Sequence, residues 1–323
     1  MQTTRKVLVQ NCDKNFEIAV IEGEELFRYF KVPKDSPVGS VFRGKVLRVT
    51  TNGAFVDIGE DKDAFLPDRD KNAGDYVTVQ VLRDAVGEKR ALLTDAIKLE
   101  GRYAVVTTTP GLHASSSIEP DFLSDIKDKF SPSPYGCILR SACRNADMED
   151  VLDEIKSLSE RLTALISDGK NRYRVGVLYE YSGIVRAKNL SSDGTVTEGF
   201  GPYASKIREL SARIVVRDGV ELVFDKTEAM TVVDVNAKRN FGKVYDISDY
   251  YYRVDLLAAE EAAKQIRLRN LGGLIAVDFI NVKKELFASV KEAFDAALKK
   301  DFVSARAEYA EESCVAIVTR KKQ

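Results

Sequence analysis

Apolar and polar residues alternate through the first thirty or so positions, "RKVLVQNCDKNFEIAVIEGEELFRYF", which predicts a small antiparallel hairpin or meander with Glu22 to Glu24 at a turn. Pro33 to Pro37 breaks that pattern. Strand-like runs resume in "GSVFRGKVLRVTTNGAFVDIGEDKDAFLP", punctuated by Asn52-Gly53 and Gly59, and continue in the alternating "DYVTVQVL" of residues 75 to 82. Five short strands within about sixty residues suit a small closed barrel.

The period then lengthens. In "MEDVLDEIKSLSERLTALISDGK", Val151, Ile155, Leu158, Leu162 and Leu165 fall on one helical stripe, so the segment predicts an amphipathic helix ending at Gly169. More strands are expected from Tyr173 to Val223, with a Ser- and Gly-rich loop around Ser191 to Gly201. From Thr231 the texture becomes strand, helix, strand, helix: "MTVVDVN", "DLLAAEEAAKQIRLRN" closed by Gly272-Gly273, "LIAVDFI" and "ELFASVKEAFDAALKK". That order predicts a parallel α/β unit with covered faces, its chemistry at the carboxyl ends of the strands.

With 323 residues, 44% hydrophobic and 31% charged, the chain is long enough for two or three compact units. The opening residues lack the apolar core of a secretory signal, and no stretch approaches a membrane span, so a cytoplasmic protein is expected. Cys12, Cys137, Cys143 and Cys314 form no CxxC, which argues against a zinc knuckle. His113 is the single histidine, which excludes a two-histidine acid/base pair and leaves carboxylates with a hard cation as the tools for hydrolysis. Forty-nine basic against fifty acidic residues argue against coating nucleic acid through bulk charge, so RNA binding must come from local patches.

In "TVVDVN", Asp234 and Asn236 lie two apart and share one face of a strand. In "LIAVDFIN", an apolar run ends in Asp278, where a carboxylate needs a cation, a hydrogen bond or solvent. Two such strands joined by one helical crossover are parallel and can be neighbours, so their acids can share a Mg²⁺ ion that keeps several waters and activates one against a phosphodiester. Asn236 is then expected to donate its amide to Asp278. The competing reading is that the two acids cap helices or pair with Lys238 and Arg239.

On the barrel, Phe42, Phe55 and Phe65 lie near Arg43, Lys45 and Arg48, the mixture that stacking on single-stranded bases requires. A Phe in a small barrel can equally be core. In "YGCILRSACRNA", Arg140 and Ser141 place a guanidinium beside a hydroxyl, a pair suited to a terminal phosphate, although such pairs are often plain surface residues.

Four segments together resemble the catalytic half of the bacterial RNase E/G family. "TEAMTVVDVNAKRN" is similar to its TEAL-x-x-IDVN segment, and "AAKQIRLRNLGGLIAVDFIN" to its ARQLRLRNLGGIIVIDFID segment. "FRGKVLRVTTNGAFVDIGEDKDAFLP" resembles its OB-type RNA-binding barrel, and "CILRSACRNA" its five-prime sensor. The resemblance implies a multi-part α+β chain. An RNase H-like platform (1–36 and 173–226) is interrupted by an OB-fold barrel (37–100) and a sensor region (101–172), and a DNase I-like catalytic unit (227–323) follows. It further implies Asp234 and Asp278 as ligands of Mg²⁺, or of Mn²⁺ in its place, with Asn236 as their support. Phe55, Phe65, Lys45, Lys238 and Arg239 would contact RNA, and Arg140 with Ser141 would sense a monophosphorylated end.

Several positions depart from the family pattern. Asn281 replaces the second acid of IDFID, Leu257 replaces the acid of Asn-Leu-Glu-Ala, and "HASSSIEPD" lacks the arginines expected before the sensor. No paired cysteines accompany "TRKKQ", so no zinc is expected and any oligomer would not be zinc-linked. The expected activity is Mg²⁺-dependent endonucleolytic cleavage of single-stranded RNA, leaving a five-prime phosphate on the downstream product. The alternative is a catalytically inactive RNA-binding protein of the same fold.

Overall fold

The computed structural model describes residues 4–85, 87–115, 118–129, 134–140, 142–143, 146–191, 193–238, 247–301 and 303–321. The chain divides into two compact units, Met1–Phe16 with Val32–Glu198, and Glu17–Lys31 with Gly199–Gln323. First in sequence come β1 (Arg5–Asn11), β2 (Asn15–Glu22) and β3 (Glu25–Pro33), the last two joined by a tight turn at Gly23 and Glu24.

The first unit is built on a closed barrel. Strands β4 (Val41–Thr50), β5 (Gly53–Asp57), β6 (Ala64–Leu66), β7 (Tyr76–Arg83) and β8 (Leu92–Thr94) pair in the order β4-β5-β6-β8-β7, and β7 returns to β4. Alternation sends Val46, Val56, Leu66, Val79 and Leu93 inward, where they are buried. Gly53 opens β5 at φ 148, with no room for a Cβ beside the carbonyl of Leu66, which explains the Asn52-Gly53 signal.

Beyond the barrel, β9 (Lys98–Glu100), β10 (Ala104–Thr107), β11 (Leu112–Ala114) and β12 (Gly136–Leu139) form a sheet in the order β11-β12-β10-β9, with α1 (Pro120–Lys129) between its third and fourth strands. Helix α2 (Met148–Asn171) buries Val151, Ile155, Leu158 and Leu162 against that sheet's core. It runs through Gly169 rather than ending there. The glycine is needed because a Cβ would strike Thr78 Oγ1 on β7. Strand β13 (Gly176–Tyr179) pairs with Val41–Arg43 of β4, helix α3 (Gly183–Leu190) follows, and β14 (Thr197–Glu198) pairs in parallel with β1.

In the second unit, α4 (Ala204–Glu209) precedes a six-stranded sheet of β15 (Ile214–Arg217), β16 (Val220–Lys226), β17 (Met230–Ala237), β18 (Gly273–Asp278), β19 (Ala305–Ala310) and β20 (Val315–Arg320), ordered β15-β16-β17-β18-β20-β19. Helices α5 (Ile247–Leu268) and α6 (Lys284–Leu298) pack on one face over Val233, Val235, Ile275 and Val277. The expected parallel sheet is instead mixed. Only β17 and β18 run parallel, because α5 crosses between them; short turns make β15–β16, β16–β17 and β19–β20 antiparallel, and β20, returning after α6 and β19, lies antiparallel to β18. Ile214–Lys226, allotted by the resemblance to the platform, are strands of this same sheet, so no sheet edge falls at 226/227.

The segment "RLRNLGG" has a structural task. Asn270 takes the left-handed conformation (φ 49) two residues past the end of α5 and two before the first of the glycines, and so stops the helix. Its Oδ1 accepts from Arg28 Nη2 at 2.6 Å and Arg320 Nη1 at 3.2 Å. Arg320, fully buried, also donates to the carbonyl of Leu271 and pairs with Asp301 at 2.9 Å. This network fixes where β18 begins. No helix among the described residues is long and apolar enough to cross a membrane.

Candidate nuclease site and nucleic-acid interface

Asp234 and Asp278 are register partners on the parallel pair β17–β18, Thr231 to Asp234 lying beside Ile275 to Asp278 residue by residue. Partners in a parallel ladder project to the same side, and adjacent strands lie about 4.8 Å apart. Both carboxylates are therefore neighbours, and both are exposed on the face opposite α5 and α6. The alternation responsible is legible in the burial of the flanking residues, Val233, Val235 and Val277, against the helices.

Asn236 shares that face, and its Nδ2 donates to Asp234 Oδ2 at 2.7 Å. The partner expected from the sequence was Asp278. The observed partner is the acid on Asn236's own strand, which a two-residue spacing brings within reach. Lys238 Nζ pairs with Glu221 on β16 at 2.5 Å, so neither strand-end acid holds it. Arg239 and Ser141 lie outside the described residues.

Beneath the pair sits a residue the sequence reading left without a role. Asp255, on the buried stripe of α5 and fully inaccessible, accepts at Oδ1 from the amide of Ile280 at 2.9 Å, two residues past Asp278. Its Oδ2 is buried without a hydrogen-bond partner among the described residues. Burial pushes this carboxyl up to about 7, with the Ile280 amide pulling the other way. The only available signal was an acid at a helical spacing shared with Ala258, Ala259 and Ala262. Cys314 packs alongside, its thiol against Asn281 Oδ1 and the carbonyl of Val282, and burial raises its pKa.

On the barrel, Phe42 is core, 2% exposed, and not a stacking platform. Phe55 and Phe65 are partly exposed cross-strand partners, edge to face with centroids 5.5 Å apart, and Arg48 lies 3.6 Å over the Phe55 ring. Lys45 is exposed on β4 between Asp57 and Tyr76, its ammonium 5.8 Å from the tyrosine ring.

Arg140 is half-buried and donates through Nη1 to the carbonyl of Gly101 at 2.7 Å. The neighbouring amides of Arg102, Tyr103 and Ala104 all donate to the Glu154 carboxylate, at 2.9, 2.7 and 2.9 Å. These three amides are thus already engaged by a side chain of α2.

A closed barrel with an aromatic and cationic face, and a separate unit with paired strand-end acids, define a class of nucleic-acid-directed proteins. The comparisons agree: residues 35–93 match the S1 RNA binding domain, and residues 189–323 match the Ribonuclease E/G family. The chain is similar to ribonucleases G and E along most of its length. It is 26% identical over 375 residues to ribonuclease G of Salmonella typhimurium (strain SL1344), covering 93% of this chain and 76% of that protein. It is 25% identical to ribonuclease G of Escherichia coli (strain K12), with the same coverage. Ribonuclease E of Haemophilus influenzae is 25% identical over 352 residues, 86% of this chain and 37% of that protein.

Proposed function

We propose that this chain is a Mg²⁺-dependent endoribonuclease that hydrolyses phosphodiester bonds of single-stranded RNA, in cytoplasmic RNA processing or decay, with Mn²⁺ able to replace Mg²⁺. The carrying observation is the in-register pairing of Asp234 with Asp278 inside the segment that matches the Ribonuclease E/G family.

The donor set suits the ion. Mg²⁺ takes oxygen ligands, keeps several waters and binds through one or two carboxylates, so two exposed acids on adjacent strands are sufficient. Among the described residues no cluster of three or more His, Cys, Asp or Glu could hold a metal, so the proposed ion would rest on this pair of acids alone. When bound, the ion supplies Lewis acidity at the scissile phosphate.

The chain's own residues do the positioning. Asp234 and Asp278 would hold the ion, and Asn236 fixes the rotation of the Asp234 carboxylate by donating to Oδ2. Asp255 ties down the chain just after Asp278 through Ile280. Lys238, steadied by Glu221, offers its ammonium to the phosphate backbone. Phe55 and Phe65 stack on bases while Arg48 and Lys45 meet phosphates.

A binder that does not cut is the competing reading, favoured by Asn281 and Leu257 where the family pattern leads one to expect acids. One experiment separates the two. An end-labelled single strand is incubated with the protein and Mg²⁺, alongside the Asp234→Asn and Asp278→Asn variants. Cleavage by the parent that falls at least a hundredfold in both variants is expected. Undiminished cleavage by either variant ends the proposed role of that acid, and an inert but RNA-binding parent favours the alternative.

A further inference from the structure

The barrel's aromatic face extends beyond Phe55 and Phe65. Across β5 and β4, the outward positions lead from Asp57 to Lys45 and on to Tyr76, each the register partner of the next. Tyr76 meets Tyr173 edge to face, with centroids 6.1 Å apart. Tyr173 is 79% exposed, above Ile247 at 66% among the described large apolar and aromatic side chains. It sits between α2 and β13, flanked by Arg172 and Arg174. Arg43 lies beneath this rim, its guanidinium 5.6 Å from the Tyr76 ring and bonded to the carbonyl of Arg172 at 2.9 Å.

We propose that Tyr173 and Tyr76 form a second base-stacking station for single-stranded RNA, continuous with Phe55 and Phe65 through Lys45 and Arg48. The inference rests on the RNA-binding reading above and goes beyond it by assigning a place for further nucleotides. Three observations support it. An exposed tyrosine ring offers a flat face to a planar partner, and a base is one that needs no shaped pocket. Cations adjoin the ring pair, Arg43 and Lys45 at 5.6 and 5.8 Å from the Tyr76 ring, which suits a passing sugar-phosphate backbone. Arg43 holds the Arg172 carbonyl and so fixes the chain that presents Tyr173. Asp57 is the one acid in the strip, and its Oδ1 is engaged by the amide of Gly59 at 2.9 Å. From Phe55 to Tyr76 is two strand spacings across and two residues along, roughly 12 Å. A short oligonucleotide therefore fills one station and a longer one fills both.

The chain contains no tryptophan, so Tyr173→Trp installs a single, selectively excitable tryptophan at the proposed station. The probes are oligoadenylates of about four and about twelve nucleotides, titrated without divalent cations so that nothing is cut. The twelve-mer is expected to quench the tryptophan and the four-mer, held at Phe55, to leave it largely unchanged. In anisotropy, Tyr173→Ala should weaken the twelve-mer about tenfold and the four-mer little, Tyr173→Phe should bind like the parent, and Phe55→Ala should weaken both. A tryptophan blind to the twelve-mer, with Tyr173→Ala binding normally while Phe55→Ala does not, overturns the second station and leaves the RNA reading intact. A parent that binds neither oligonucleotide overturns both.

Discussion

Asn236 holds Asp234, and not Asp278, by a 2.7 Å bond from its amide to one carboxylate oxygen. The two acids of the pair therefore differ. One is oriented by a neighbour on its own strand, while the other is anchored indirectly through the peptide after it, which Asp255 grips.

Removing the orienting amide should act on the ion first. Supporting groups of this kind are worth about 10- to 100-fold in metal affinity or activity. Asn236→Ala is expected to raise the Mg²⁺ concentration for half-maximal cleavage by that order while leaving metal-free RNA binding unchanged. A Mg²⁺ titration of cleavage alongside anisotropy in chelator measures both. An unaltered Mg²⁺ requirement would show that the bond is incidental.

Asp255 makes stability depend on pH in a direction opposite to that of an ordinary ion-paired acid. Its folded pKa, about 7, lies above the unfolded value near 3.9, so the folded chain keeps a proton that the unfolded chain has lost between those limits. The penalty is absent below about pH 4, grows as pH rises through the window and is complete above about pH 7. Asp255→Asn removes it. In chelator, the variant should melt with the parent near pH 4 and several degrees above it at pH 8. A melting difference that stays constant across the range would sink the assignment.

The buried arginine network predicts a large structural cost with no direct chemical one. Arg320 is inaccessible, paired with Asp301 and bonded to Asn270 and the carbonyl of Leu271. Truncating one partner of a buried pair leaves an uncompensated charge, at roughly 3–5 kcal/mol. Asp301→Ala should lower the denaturant midpoint accordingly. Arg320→Met with Asp301→Leu should recover much of the loss, because apolar replacement of both partners is often neutral. A single variant as stable as the parent would refute the role given to this network.

What could be read from the residues follows from periodicity. Helix α2 and the two aspartates at the ends of apolar strands are local patterns, since spacing fixes which side chains share a face. Partners are not local. Nothing in the alternation of Ile214–Lys226 says that it joins the sheet of Asp234, and a two-residue offset puts Asn236 on the right face without naming its acceptor. Asp255 was hidden because an acid on an apolar stripe has no periodic signature of its own. Tyr173 was hidden because its partner, Tyr76, lies almost a hundred residues away in sequence.

The region around Arg140 predicts indifference to the five-prime end. One nitrogen of its guanidinium is engaged by the carbonyl of Gly101, and Glu154 accepts from three successive amides beside it. Hydrogen bonds to a charged group contribute about 1.5–3 kcal/mol each, so a terminal phosphate competing for those amides would have to displace Glu154 at considerable cost. Labelled single strands ending in a monophosphate or a hydroxyl should therefore be cleaved at rates within about twofold of each other. The threshold is well below the tenfold change that a single charged hydrogen bond of 1.4 kcal/mol would produce. Glu154→Gln weakens the acceptor but keeps its shape, and should lower stability without creating end discrimination. A parent enzyme that cuts the monophosphorylated strand tenfold faster would mean that the phosphate is read elsewhere or that Glu154 yields to it, and the closed arrangement of donors could not then be its working state.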